Sequence, residues 1–313
     1  MRRWRAVTLC GRGNFRYVSI RVGPWFETSY GAVKPSAAAA LGDDTAERLR
    51  ALGVSLKPGN RLDRSRQVAS DLASGRLALT GQNTPGRELA AEALRTIWEF
   101  ALIVRIIPRD DPPTLQKVQD MVTGAFLTRG DLNTIGRNTQ FELFVATLFA
   151  IGGVKIFGEE PDLRFMMFEQ ERGLAVKRVR SMKKLRANVS DGARQLAKNG
   201  VDGLIAVNVE PFLDGVTTEG GGEAAGRRFN ERVAPLHNLY ARYQHRPRVL
   251  GIIGAGTVPE WEKLDDGRYR FGIAWFMQFR WFTGDPIEQE RTEVFVNAMR
   301  TRVEQQLTEF FGP

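Results

Sequence analysis

Two carboxylates and an ammonium define the chemistry to look for. Glu160-Pro161-Asp162 is followed, fifteen residues after Asp162, by Lys177 in the run Leu174-Ala-Val-Lys-Arg-Val-Arg-Ser181. If Asp162 opens one strand and Lys177 lies in the next, a hairpin brings both to one end of a sheet. Phosphodiester hydrolysis asks for this combination: hard oxygen donors to hold Mg²⁺, and a cation to orient water or stabilise charge. Each residue alone has a blander account, since Pro-Asp is turn chemistry and a strand lysine guards an edge. Glu142 is a third candidate. It is the only charge from Phe141 to Val154, and by helical angle it points between Val145 and Phe149, where an unpaired carboxylate is costly. A metal would resolve that cost. Thr139-Gln-Phe-Glu142 also fits a helix capping box, so both roles stay open.

Charge supplies the second signal. The chain carries 45 Lys+Arg against 36 Asp+Glu, a net charge of +9. The segment 172–198 alone holds nine basic residues (Arg172, Lys177, Arg178, Arg180, Lys183, Lys184, Arg186, Arg194, Lys198) and one acid, Asp191. Charge runs usually end as solvated helix faces. Here the cations begin in a strand and continue through a turn into a helix, which gathers them into one patch suited to phosphate backbones.

The elements that must position these groups change character along the chain. The first 86 residues read weakly: Tyr17–Val22 alternates like a strand, Pro35–Ala40 is a helix entry or connector, and Thr45–Leu52 and Arg64–Leu77 have helical composition. Arg87–Ile107 has helical spacing and Thr114–Phe126 continues it, so residues 1–130 are expected to be mostly helical and basic. From 131 to 313 helices and strands alternate. Expected are a helix over Thr139–Ile151, strands at Val154–Phe157, Asp162–Gln170 and Gly173–Val179, and a helix over Lys183–Lys198. A buried strand follows at Gly203–Val209, then a helix over Arg227–Gln244, strands at Val249–Ile253 and Tyr269–Phe282, and a closing helix over Pro286–Phe310. Gly251-Ile-Ile-Gly-Ala-Gly256 lacks dinucleotide-loop spacing and reads as a tight turn. The fold class is α/β around a mixed sheet, preceded by a mostly helical region.

In that order of elements, residues Gln140 to Glu210 resemble the PD-(D/E)XK, or restriction endonuclease-like, nuclease superfamily, whose core is αβββαβ. The matching positions are Glu142 on the first helix, Pro161-Asp162 at the second strand, Lys177 on the third, and Gln195 on the next helix. The resemblance implies that Asp162 and Glu142 hold Mg²⁺ or Mn²⁺, that Lys177 orients water or stabilises charge, and that Gln195 supports them. It covers about 70 residues and departs from the family pattern at one position, where Ala175 stands in place of the motif's acid. Either that acid is lost, naturally or by substitution, or it has moved to the following helix as in some restriction enzymes. Asp191, fourteen positions after Lys177 and four before Gln195, is the candidate replacement; a local counter-charge for Arg194 or Lys198 is its alternative.

The expected function is therefore metal-dependent phosphodiester hydrolysis, with DNA as substrate and Arg178, Arg180, Lys183, Lys184 and Arg186 holding the backbone. The alternative is a non-catalytic nucleic-acid-binding protein on a nuclease scaffold, favoured if fewer than three carboxylates converge. A partner-binding subunit whose basic face meets an acidic protein is a third reading, and a homodimer or a partner subunit stays open. One Cys and two His exclude internal disulfides and Cys-rich zinc sites. No stretch reads as a membrane span or leader, and a reducing, cytoplasmic setting is expected.

Overall fold

The computed structural model describes residues 18–20, 35–77, 84–106, 112–127, 134–158, 160–179, 181–208, 242–243, 245–263 and 269–282, with helical positions between 287 and 305. Arg180, the stretch 211–240 and most of the expected closing helix lie outside the described residues.

The amino-terminal part is helical, as expected. Helices α1 (Pro35–Ala51), α2 (Arg61–Ala73), α3 (Thr84–Ile106) and α4 (Pro112–Met121) precede α5 (Ile135–Ile151). Asn60 starts α2 by accepting the Asp63 N–H at 3.0 Å, while the Asp63 carboxylate accepts the Gly59 N–H at 2.8 Å. Helix α3 buries Ala93, Leu94, Ile97, Phe100, Ala101 and Val104, and α5 is buried nearly all round. Helices apolar on every side belong in a protein interior. A Cβ at Gly136 would lie 2.9 Å from the Asp120 carbonyl oxygen, so glycine permits the close crossing of α4 and α5.

Among the described residues seven strands form one mixed sheet. They are β1 (Val18–Ile20), β2 (Ile156–Phe157), β3 (Leu163–Met167), β4 (Gln170–Lys177), β5 (Gly203–Asn208), β6 (Val249–Lys263) and β7 (Tyr269–Trp281), ordered β1-β7-β6-β5-β4-β3-β2. Pairing is antiparallel for β2–β3 and β3–β4, parallel for β4–β5 and β5–β6, and antiparallel for β6–β7 and β7–β1. Helix α6 (Met182–Lys198) crosses between β4 and β5, as a parallel connection requires. All six residues of β5 are buried, as suits a central strand covered on both faces.

The sheet separates two apolar layers. Leu163, Phe165, Leu174, Leu204, Ala206 and Ile253 join α3 and α5 in one core that reaches from Ala38 to Met299. Ala175, Ile205, Val207 and Ile252 face α6, whose stripe Leu185, Val189, Ala193 and Leu196 is buried. Removing a large member such as Phe149, fully buried and edge-on to Phe165 with ring centroids 5.1 Å apart, is expected to cost about 3–5 kcal/mol.

Three sequence expectations need correction. Helix α5 begins at Ile135, with Thr134 as N-cap, so Thr139 and Glu142 lie inside the helix and form no capping box. The expected strand over Asp162–Gln170 is interrupted by a two-residue turn at Phe168 and Glu169, both at positive φ (51° and 64°), which closes the β3–β4 hairpin. Gly251–Gly256 forms no turn; it lies within β6, paired with β7 throughout and with β5 as far as Ala255.

Candidate active site

The β3–β4 hairpin brings Asp162 and Lys177 together. Leu163 pairs with Leu174, so Asp162, one step earlier, stands beside the carboxyl half of β4. Its Oδ2 accepts the Val176 backbone N–H at 2.7 Å and Lys177 Nζ at 3.1 Å. Gln195, from α6, donates its Nε2 to Asp162 Oδ1 at 2.8 Å and accepts from Lys177 Nζ through Oε1. The three side chains thus close a ring of hydrogen bonds built from a hairpin and the next helix. Glu160 adds a longer contact, Oε2 to Gln195 Nε2 at 3.4 Å.

Glu142 enters from α5. Its side chain is 18% exposed and accepts a hydrogen bond from Lys117 Nζ of α4. Burial holds the Glu142 carboxyl above the usual carboxylate range; Lys117 draws it back by hydrogen bond and charge, Asp162 pushes it up and Lys177 opposes that push. Glu142, Asp162 and Lys177 therefore share one electrostatic neighbourhood. Burial also raises Asp162, against the attraction of Lys177 and the Val176 N–H, with the Glu160 carboxylate pushing the same way as burial.

The other sequence candidates are placed differently. Asp191 lies on the exposed face of α6, 51% exposed, and pairs with Arg194 one turn on. None of its described contacts reaches Asp162, Lys177 or Gln195, so the counter-charge account describes its position and the migrated-acid account does not. Ala175 is fully buried against α6, where a Cβ at Gly192 would meet it at 3.5 Å. Lys183, Lys184 and Arg186 are exposed in the first turns of α6, and Arg178 is half-buried just before it. Arg172, counted with the basic segment, is mostly covered and faces Asp202 at 3.6 Å.

Two features escape the sequence. Lys117 lies 25 positions before Glu142 on another helix, and no local pattern marks it. Behind the site, a buried polar knot ties α2, α3 and α5. Arg61, fully buried, donates to Gln140 Oε1 and to the Met121 carbonyl, and Gln140 donates to Glu99. Arg137 donates to Glu92 at 2.7 Å. Arg95, Arg137 and Arg61 hold the Glu92 carboxyl below its usual range against burial. Burial pushes the Arg61 guanidinium down to about 9, which leaves it charged at neutral pH. The knot fixes α5 two residues before Glu142.

The donor set suits a hard divalent cation. Among the described residues no group of three or more His, Cys, Asp and Glu is gathered as a metal cage. Mg²⁺ is commonly held by one or two carboxylates with waters and substrate phosphates completing its shell. Two partly buried carboxylates in one neighbourhood, both raised toward protonation and each braced by a lysine, fit that mode.

Comparison with known protein families, with curated proteins and with solved structures finds no match for this chain. Among the described residues no helix is long and apolar enough to cross a membrane.

Proposed function

We propose that the chain is a metal-dependent nuclease that hydrolyses phosphodiester bonds, with DNA as its substrate. The observation that carries this reading is the Asp162–Lys177–Gln195 ring with Glu142 in its field. The surrounding topology supports it: α5-β2-β3-β4-α6-β5, with the first three strands antiparallel and the last parallel, follows the element order expected of a restriction endonuclease-like core.

Asp162 and Glu142 would hold Mg²⁺, which supplies charge neutralisation at the phosphoryl group and lowers the pKa of a bound water. Lys177 has three N–H donors, two of which go to Asp162 and Gln195. The third is left to donate to a phosphoryl oxygen or to a water. Gln195 sets this direction, because its amide donates to one oxygen of Asp162 while its carbonyl fixes the ammonium.

Binding of the backbone falls to the start of α6. Lys183, Lys184 and Arg186 occupy its first turns with no acid to balance them, against the preference of a helix amino terminus for negative charge. A cationic cluster in an unfavourable helix position suits an external polyanion. Arg178 extends the patch toward Lys177, and Arg180 belongs to the same sequence run.

Incubation of the purified chain with plasmid DNA tests the reading. Nicking is expected with Mg²⁺ or Mn²⁺ and none in EDTA, with loss on Asp162→Ala and on Lys177→Ala. Cleavage that survives Asp162→Ala would remove the assignment from this site. A second reading, a non-catalytic DNA-binding protein, is favoured by Ala175, which leaves the position of the motif's acid apolar and fully buried. It predicts salt-sensitive DNA binding that needs no metal, and no nicking under any condition.

A further inference from the structure

Lys117 belongs to the helical region, yet its ammonium meets the carboxylate of Glu142. Glu142 is 18% exposed and Lys117 31% exposed, so the contact is partly shielded from water. The arrangement around it is paired. Lys177 serves Asp162, Lys117 serves Glu142, and the charge of Asp162 acts on Glu142. Two ammonium groups therefore supply the two positive charges that a divalent cation would bring. They differ in their anchoring. Lys177 is held on both sides, by Asp162 and Gln195, whereas the described polar contact of Lys117 is Glu142 alone. Lys117 is the more easily displaced of the two.

We propose that Lys117 is a cation placeholder, which neutralises Glu142 until a divalent cation binds at Glu142 and Asp162 and then releases the carboxylate to it. The inference rests on the metal-site reading above and adds a residue from α4 to it. A long ammonium side chain on a flexible stem can leave for water at little cost, which a buried guanidinium fork could not do as readily. Lys117 is then a positioning residue whose charge lowers the site's affinity for metal. It also makes the helical region part of the site, since α4 carries the competing charge.

Titration of the full-length chain with Mn²⁺, followed by the electron paramagnetic resonance of free Mn²⁺ and without nucleic acid, tests this directly. Lys117→Met is expected to tighten Mn²⁺ binding about tenfold, equivalent to about 1.4 kcal/mol. Lys117→Arg, which keeps the charge and leaves less readily, should bind Mn²⁺ no more tightly than wild type; Lys117→Gln replaces the Met variant if that one unfolds. In a Glu142→Gln background, Lys117→Met should change nothing, because the carboxylate it competes for is gone. Equal or weaker Mn²⁺ binding by a folded Lys117→Met or Lys117→Gln variant would overturn the placeholder while leaving the metal site standing. Wild-type binding that is unaffected by Asp162→Ala, or no binding by any variant, would overturn the metal site and the placeholder with it.

Discussion

At Glu142 the sign of the electrostatics separates function from stability. Its carboxyl is raised in the folded chain, so between the usual carboxylate pKa and the folded value the folded state binds more protons than the unfolded state. Stability therefore falls as pH rises through that window, and the ionised side chain works against folding at neutral pH. Glu142→Gln is expected to leave the melting temperature at pH 7 unchanged or higher, while weakening Mn²⁺ binding and abolishing cleavage. Melting curves at pH 4 and pH 7 check it, because the variant's advantage should vanish at the lower pH. Ala175 gives the complementary case. It is fully buried beside the Gly192 face of α6, on the strand next to Asp162, so a glutamate there brings a third carboxylate at the cost of crowding. Ala175→Glu is expected to destabilise the chain by about 1–3 kcal/mol and to create or strengthen Mg²⁺-dependent nicking. A stable variant with unaltered nicking would show that position 175 does not limit the chemistry. These residues were legible to different degrees. Asp162 and Lys177 stand on adjoining strands, so the order of elements suffices to pair them, whereas Gln195 joins them only through the family resemblance. Lys117 and the Arg61–Gln140–Glu99 knot are tertiary meetings of distant helices, which local spacing does not encode.

Among the elements, α6 carries two loads with opposite demands. Leu185, Val189, Ala193 and Leu196 seat it on the sheet, while Lys183, Lys184 and Arg186 load its amino end with charge of the wrong sign for the helix dipole. Reversing all three to Glu is expected to weaken DNA binding by a similar factor on any sequence, because phosphate contacts carry no base information. The same variant should be the more stable, by about a few tenths of a kcal/mol per site, and so unfold at a higher temperature. Filter binding on two unrelated duplexes, read beside thermal melts, separates a phosphate patch from a solvated face. Both strands of the β3–β4 hairpin were legible, but the turn between them was not, since Phe168-Glu169 lacks the Asn-Gly or Gly that signals positive φ. The start of α5 is hidden in the sequence for a related reason. Thr134 is an accepted N-cap residue, but Arg137 stands where a capping box has Glu or Gln, so the polar pair at Thr139 and Glu142 imitates a beginning.

Across the whole molecule one apolar core runs from α1 to residue 299, joining the helical region to the sheet. Met299 lies against Gly152, and Arg302 donates to the Gly152 carbonyl at 3.0 Å, so the carboxyl-terminal segment closes over the end of α5. The composition change near residue 131 marks a shift in element type, and the packing continues across it. A fragment of residues 131–313 is expected to show no cooperative melt, because α5 loses its partners α3 and α4, whereas the full chain should unfold in one transition by circular dichroism. The strand order adds a demand on timing. Val18–Ile20 closes the sheet against Phe279, Gln278 and Met277, which are nearly the whole chain away. At a synthesis rate of about 5–20 residues per second, β1 leaves the ribosome roughly 13–50 s before its partner exists. During that interval the nascent helices can pack, but the seven-stranded sheet stays open at β7, and any ribosome that stops short of residue 277 releases a chain whose first strand has nothing to bind.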